Sequence, residues 1–336
     1  MITWGWTGMA HDASLAVFSD DGLEFAAHSE RYSRIKNDKN LHQGLLAEAL
    51  EYGKPDRIYF YENPWLKKTR QLYAGQYTLL RKQSPWSYLM DQVGKVTSPF
   101  VLPRVRYTSH HLSHAAFGYY TNTFDFADSA VLVIDSIGEW DTISIWSGKG
   151  TKLKKLWSQR YPHSIGIWYS AMTQRIGLKP QEHEYILMGM AAVGDSDRYY
   201  ELIKADFIEK MPTLDDPRTL FKRNCHRGCL DWRTDLNTVQ DYADIAAATQ
   251  RLYEEIFDTY CMITASKTDT SRIVLVGGCV LNCVANERAY KYFEEVWIPP
   301  NPGDAGSAIG SCGSNEKARS VAPTSLKMQF RKEFVT

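Results

Sequence analysis

The chain has 336 residues, 44% apolar and 13% aromatic, which is enough apolar surface for a core of more than one lobe and excludes disordered, collagen-like and low-complexity classes. Lysine plus arginine number 39 and aspartate plus glutamate 39, so the formal net charge is zero and no global field steers the protein toward nucleic acid or an anionic membrane. The opening Met1-Ile2-Thr3-Trp4-Gly5-Trp6 has no basic stretch leading into an apolar one, no apolar run approaches the roughly 18–20 residues of a membrane span, and six irregularly spaced cysteines make reduced thiols the default; a soluble cytoplasmic protein with no membrane partner is expected.

Strands and helices alternate along the chain, the pattern of an α/β protein. A strand over 2–8 passes through a polar turn holding His11 and Asp12 to a second strand over 14–18, and a cation-dense stretch over 29–38 follows. A helix over 41–52, a strand over 57–61, an aromatic and basic region over 65–86 that reads mostly helical, and a strand over 104–108 lead to a helix at His110. The strand over 130–136 then turns at Asp135 into a strand over 142–146, repeating the opening hairpin. Two hairpins that each start a lobe are what a duplicated actin-like ATPase fold would show, with nucleotide held in the cleft between lobes; a chance likeness of two buried hairpins reads the pattern equally well. Further expected elements are helices over 165–176 and onward to 208, an irregular stretch to 235, a long helix over 241–264, a strand over 273–276, a helix over 282–293, a strand over 296–298 and a helix after Asp304. The expected division is a first lobe over 1–128 and a second over 129–336, with a last helix over 304–320 packing back on the first.

Several segments can carry chemistry. His110 and His114 stand four apart on a helix and share a face, so both imidazoles can address one ion, with Ser109 as N-cap and His111 turned away. On spacing alone, an ordinary surface or core pair of histidines is an equal reading. The turn Asn301-Pro302-Gly303-Asp304-Ala305-Gly306 offers a third ligand, Asp304, expected to be exposed after a buried strand. Two histidines and an aspartate favour iron, manganese or zinc over calcium or magnesium. The strand ending at Gly277-Gly278, followed by Asn282, presents free amides to an anion and a carboxamide to ribose or phosphate. Phosphate-loop and dinucleotide-binding glycine patterns are missing. The 29–38 stretch is either a solvated loop or, with His11 and Asp12, a grip for a phosphorylated or carbamoylated substrate. Within 220–233, Cys225, His226 and Cys229 form a low-specificity zinc pattern, and the cations with Trp232 make a better candidate for contacting an acceptor, with a solvated loop as the alternative.

Taken together, these motifs resemble the O-carbamoyltransferases of the nodulation-protein and cephamycin/tobramycin type, whose first domain is actin-like and related to the universal tRNA threonylcarbamoyltransferase. The resemblance runs from Gly5 to Gly310 and rests on His11-Asp12-Ala13-Ser14, Glu30-Arg31-Tyr32-Ser33-Arg34-Ile35-Lys36, His110-His111-Leu112-Ser113-His114, Val133-Ile134-Asp135-Ser136-Ile137-Gly138-Glu139-Trp140, Ser164-Ile165-Gly166-Ile167-Trp168, Glu184-Tyr185-Ile186-Leu187-Met188-Gly189, Gly277-Gly278 through Asn282, and Pro302-Gly303-Asp304-Ala305-Gly306. It implies a divalent metal, iron first and manganese or zinc next, on His110, His114 and Asp304. It implies adenylate phosphate and ribose near Gly277, Gly278 and Asn282, with Asp135, Gly138 and Glu139 in the second phosphate turn. The implied activity uses ATP and carbamoyl phosphate, forms carbamoyl adenylate and passes the carbamoyl group to a hydroxyl of a sugar, an antibiotic or a hydroxymethylated nucleobase of DNA. His11, Asp12 and Lys36 are the implied catalytic residues, His11 or Asp12 taking the hydroxyl proton. Three features depart from the family. Ser136 stands where glycine is usual, Ile186 where lysine is usual, and only 311–336 follow where relatives continue into an adenylate-synthase-like domain. Either a separate protein makes the carbamoyl adenylate, or this lobe pair acts differently. The alternatives are a threonylcarbamoyl-type N-transferase acting on RNA and a non-catalytic nucleotide-binding partner subunit.

Overall fold

The computed structural model describes residues 1–78, 83–98, 100–124 and 127–313. Positions 79–82 of the aromatic, basic region and 314–320 of the expected last helix lie outside the described residues. No described helix is long and apolar enough to cross a membrane.

The first sheet grows from β1 (Thr3–Thr7), β2 (Ser14–Phe18) and β3 (Leu23–His28), followed by the short α1 (Glu30–Ser33), α2 (Gln43–Glu51), β4 (Arg57–Phe60), α3 (Pro64–Tyr73), α4 (Pro85–Gly94), β5 (Val105–Tyr107) and α5 (His110–Tyr120). All of β1 and most of β2 are buried, whereas β3, at the sheet edge, alternates between half-buried and exposed residues. Trp4, Trp6, Leu15 and Phe60 pack with Leu45 and Leu46 of α2 and Leu89 of α4 in one core. The region read as one helical stretch is two helices, because Pro64 and Pro85 each sit in a first turn, behind the capping side chains of Asn63 and Ser84.

The second sheet starts with β6 (Ser129–Ile134), β7 (Asp141–Lys149) and β8 (Lys152–Arg160). Helices α6 (Ile165–Arg175), α7 (Glu184–Met190) and α8 (Ser196–Phe207), the small ribbon β9 (Ile208–Lys210) and β10 (Leu220–Phe221), and α9 (Val239–Lys267) follow. The chain returns through β11 (Arg272–Val276), α10 (Cys283–Asn286), β12 (Glu295–Trp297) and α11 (Ser307–Gly313). A capping box starts α9: the Asp241 amide donates to the Thr238 hydroxyl, and the Asp241 carboxylate accepts from the Thr238 amide, both at 3.0 Å. The expected helix over 282–293 is shorter, with α10 passing at Glu287 into a 3-10 turn that ends at Lys291.

The strand orders are β3-β2-β1-β4-β5 and β8-β7-β6-β11-β12, the same topology twice. In each sheet the first three strands pair antiparallel and the fourth and fifth join parallel. The likeness between the two hairpins is thus a duplication of whole sheets, the actin-like ATPase fold. Helices α5 and α11, which follow the fifth strands, cross over. Ala115, Ala116 and Tyr119 of α5 pack on Val131, Val133, Val274 and Val276 of the second sheet, while α11 packs on β1, β2 and β4 of the first. The crossing helices touch at Gly310, where a Cβ would stand 1.8 Å from the Ser113 carbonyl oxygen, so only glycine fits.

Candidate metal centre

Where the two crossing helices begin, four buried side chains converge: His110, His114, Asp135 and Asp304. His110 opens α5. The expected cap, Ser109, makes no side-chain bond to the helix. The carboxylate of Glu139, from the β6–β7 turn, accepts instead from the amides of His110 (3.0 Å) and Asn63 (2.6 Å), which suits the positive end of a helix. One turn on, His114 Nε2 lies 3.1 Å from His110 Nε2. Asp304 Oδ1 is 3.4 Å from His110 Nε2 and 3.2 Å from His114 Nε2, and Asp135 Oδ2 is 3.1 Å from His110 Nε2.

Asp304, expected to be exposed, is only 4% exposed. Its turn is pinned because the Ala305 carbonyl accepts from Ser14 Oγ at 2.7 Å and Gly306 lies against the Phe117 ring.

This donor set fits a divalent ion. Metal–ligand bonds of about 2.0–2.2 Å place neighbouring donor atoms roughly 3.0–3.4 Å apart, the range spanned by the four contacts. His114 Nδ1 meets Ser307 Oγ at 3.2 Å, an outer hydrogen bond that turns the Nε2 lone pair inward. Two imidazoles with two carboxylates suit iron, manganese or zinc. Burial works against a charged His110, yet the charge of Asp304 and the bond to Asp135 hold it well above its ordinary 6.5. Burial likewise opposes ionisation of Asp304, but His110 and His11 keep it well below 3.8. The two buried carboxylates call for positive charge, which protons on His110 and His11 supply here and a divalent ion on the same donors could supply in their place.

The surrounding turns bring in most of the other candidates. His11, at the β1–β2 turn, places Nε2 3.7 Å from Asp304 Oδ2 and Nδ1 2.9 Å from Asp12 Oδ2. Its surroundings oppose the charged form by desolvation, but Asp304 and Asp12 raise it to about 9. Asp12 also faces His28 Nε2 at 3.4 Å. Gly277 has φ +104°, and a Cβ there would stand 2.2 Å from the Ile134 oxygen. The amides expected to be free are engaged: Gly277 donates to the Pro302 oxygen at 2.9 Å and Gly278 to Asp135 Oδ1 at 3.2 Å. The glycine turn thereby ties Asp135 to the Asp304 turn. Gly138 lies against His110 and donates its amide to the Asp141 oxygen. Asn282 stands apart, exchanging two amide bonds with Gln250 (2.8 and 3.0 Å) and capping the Ala285 amide.

Other candidates are not brought to the centre. Lys36 Nζ donates to the Glu182 oxygen at 3.0 Å and lies over the Tyr185 ring. His111 is buried, bonded to Ser144 Oγ at 2.7 Å, and pushed down to about 3 by burial. Trp232, read with its neighbouring cations as a candidate acceptor contact, is buried with Nε1 donating to Asp206. Cys225 and Cys229 are buried thiols pushed up to about 11 and about 12 by burial, and among the described residues they form no metal group with His226.

Sequence reasoning missed Asp135 as a member of the metal cluster, and Glu62, whose Oε2 is 3.9 Å from His110 Nδ1. Each follows a buried strand, β6 or β4, and an acid at that exit is the signal that marks both.

A twice-used sheet topology enclosing a buried histidine–aspartate cluster of ligand-type side chains defines an actin-like protein. Residues 67–312 match the family model described as Carbamoyltransferase N-terminus, and the chain belongs to that family. It is 32% identical to the uncharacterized protein sll1178 of Synechocystis sp., over 91% of this chain and 55% of that protein. Nodulation protein NolNO of Sinorhizobium fredii is 26% identical over 93% of this chain and 47% of that protein. The chain spans about half the length of these curated relatives. Among solved structures, full-length HypF in its phosphate- and nucleotide-bound form shares the fold, with a TM-score of 0.53 and 12% identity over 95% of this chain and 46% of that one.

Proposed function

We propose that the chain is the transfer module of an O-carbamoyltransferase, taking carbamoyl adenylate made from ATP and carbamoyl phosphate and passing the carbamoyl group to an acceptor hydroxyl. The observation that carries this reading is the convergence on one buried cation-demanding centre of the His11–Asp12 turn, the Asp135–Glu139 turn and the Gly277–Gly278 turn. His110, His114 and Asp304, with Asp135 beside them, would hold a divalent ion, iron first and manganese or zinc next. Such an ion supplies Lewis acidity toward the carbamoyl oxygen and charge for the phosphate.

The acceptor oxygen bonds to the carbamoyl carbon, the bond from that carbon to the adenylate phosphate oxygen breaks, and AMP leaves with the electron pair. The Asp12 carboxylate takes the hydroxyl proton, with the raised, cationic His11 beside it as its hydrogen-bond partner. In this reading the adenylate lies along the Gly277–Gly278 turn, which packs tightly against Ile134 and Asp135, with Asn282 at its far end. Lys36, in the loop after α1, brings a cation of the first half against the Glu182 backbone oxygen of the second. Carbamoyl adenylate is supplied by a module outside these residues.

The test is mass spectrometry of a panel of hydroxylated acceptors after incubation with the purified chain and carbamoyl adenylate. Gain of one carbamoyl group is expected, and weak turnover from ATP plus carbamoyl phosphate alone. No gain on any acceptor overturns the transfer reading. Robust turnover from ATP and carbamoyl phosphate with no partner overturns the division of labour.

A further inference from the structure

Two cavities, of about 280 and about 330 Å³, flank the His226–Arg227 pair, which lines both. The larger is floored by Ser136 and Ile137, the two residues after Asp135. The smaller is walled by Tyr73, Tyr161, Gln76 and Asn224. Its hydrogen bonds run in one direction. Arg70 Nη1 donates to Gln76 Oε1 at 2.9 Å, which fixes the amide so that Gln76 Nε2 donates to His226 Nε2 at 3.0 Å. Neutral His226 then carries its proton on Nδ1, a buried atom with no acceptor. Asn224 Nδ2 donates to the Tyr161 hydroxyl oxygen at 2.7 Å, leaving the Tyr161 O–H as a donor. Arg227 is exposed and pairs with no carboxylate among the described residues. No aspartate or glutamate lines either cavity. Burial and the charges of Arg70 and Arg227 hold His226 below 6.5, so the local potential is positive.

A cavity that offers Tyr161 O–H and a guanidinium beside His226, with no acidic group, is built for a ligand that only accepts: an anion. Beside those donors, Tyr73 is 66% exposed and stands edge-on to Tyr161 at 6.1 Å, presenting a ring to the solvent side. The wall is continuous with the metal centre. The Tyr161 amide donates to the Trp140 oxygen at 2.8 Å and Arg70 Nε to the Glu139 oxygen at 3.3 Å, and the Glu139 carboxylate caps His110.

We propose that these cavities form the acceptor site, and that the acceptor is a ring-bearing hydroxyl compound with a monophosphate, its ring on Tyr73 and its phosphate on Tyr161 and Arg227 beside His226. This rests on the transfer reading above. A nucleotide and a sugar phosphate share that chemistry, and binding to the full chain without any carbamoyl donor separates them. The probes for calorimetry are uridine 5′-monophosphate and glucose 6-phosphate, each against its unphosphorylated parent. At least one phosphorylated probe is expected to bind about tenfold tighter than its parent, and Arg227→Ala to cut that advantage below about threefold. Tyr73→Ala is expected to weaken the same probe by about fivefold with metal content unchanged. A nucleotide preference identifies a stacked base, and a glucose 6-phosphate preference a sugar. Equal binding of both phosphorylated probes and their parents, or an advantage that survives Arg227→Ala in a folded variant, overturns the proposal. Failure of carbamoyl transfer overturns the function reading while leaving the phosphate preference readable.

Discussion

Helices α5 and α11 follow the fifth strands of two sheets with one topology, and each crosses to cover the other sheet. Their chemical contributions differ. The first turns of α5 give two imidazoles, whereas the turn before α11 gives one carboxylate and the start of α11 gives Ser307, which orients His114. Neither half holds a complete ligand set, so the centre exists only when both helices are docked. An ion held there would couple its own binding to the joining of the two sheets.

The sharpest way to break this pairing is His114→Ala. The side chain is fully buried, and its Nε2 faces both His110 and Asp304. Its loss is expected to reduce bound metal below about a tenth of the parent level and transfer by about a hundredfold or more. Elemental analysis decides, and unchanged metal content refutes the shared centre. Next in size is Gly310→Val, which pushes a side chain into the Ser113 backbone where the helices cross. A loss of about 3 kcal/mol is expected, with a melting midpoint lower by roughly 10 °C and weaker metal retention. A variant that melts with the parent would show that the crossing does not hold the halves together.

His111→Ala separates stability from ligation. His111 sits next to a ligand but bonds to Ser144 on β7, and its ring stays neutral when buried. About 2 kcal/mol of stability is expected to go with the lost packing and hydrogen bond, while metal content stays at the parent level. Loss of metal in proportion to His110 or His114 variants would place His111 in the centre after all.

The histidine pair was legible because four-residue spacing on a helix fixes a shared face before any tertiary contact forms. Asp304 was legible as a residue, though not as a buried one: its burial comes from Ser14 and Phe117, both remote in sequence. Asp135 was legible as a turn acid but not as a partner of His110, since only the antiparallel β6–β7 hairpin and the crossing of α5 bring them to 3.1 Å. The free amides expected at Gly277 and Gly278 failed for a related reason. A turn between two parallel strands finds acceptors on its neighbours, here Pro302 and Asp135, that a local reading does not see. The duplicated hairpins announced the fold, because antiparallel pairs with tight turns are local. Tyr73, Tyr161 and His226 meet through three separate segments, and no spacing in the chain connects them.

The fourth strands extend the comparison between the halves to its smallest expected effect. After β4 the chain presents Glu62 and Asn63, and Asn63 caps α3 by accepting from the Trp65 and Leu66 amides at 3.0 and 3.3 Å. After β11 it presents Gly277 and Gly278, and Asn282 caps α10 by accepting from the Ala285 amide at 3.2 Å. The two asparagines do the same structural work, but only the second exit carries glycines, where a Cβ would meet the Ile134 carbonyl and the Asp135 carboxylate. Asn63→Ala and Asn282→Ala are each expected to cost about 1 kcal/mol of stability through the lost cap. Asn282→Ala alone is expected to weaken AMP binding by about tenfold, near the ~1.4 kcal/mol of one good hydrogen bond, since its carboxamide can exchange Gln250 for the ribose. Calorimetry with AMP on both variants and the parent measures the difference. Equal weakening in the two would trace the effect to general destabilisation, and AMP affinity unchanged in Asn282→Ala would leave that residue as a helix cap and move the nucleotide elsewhere.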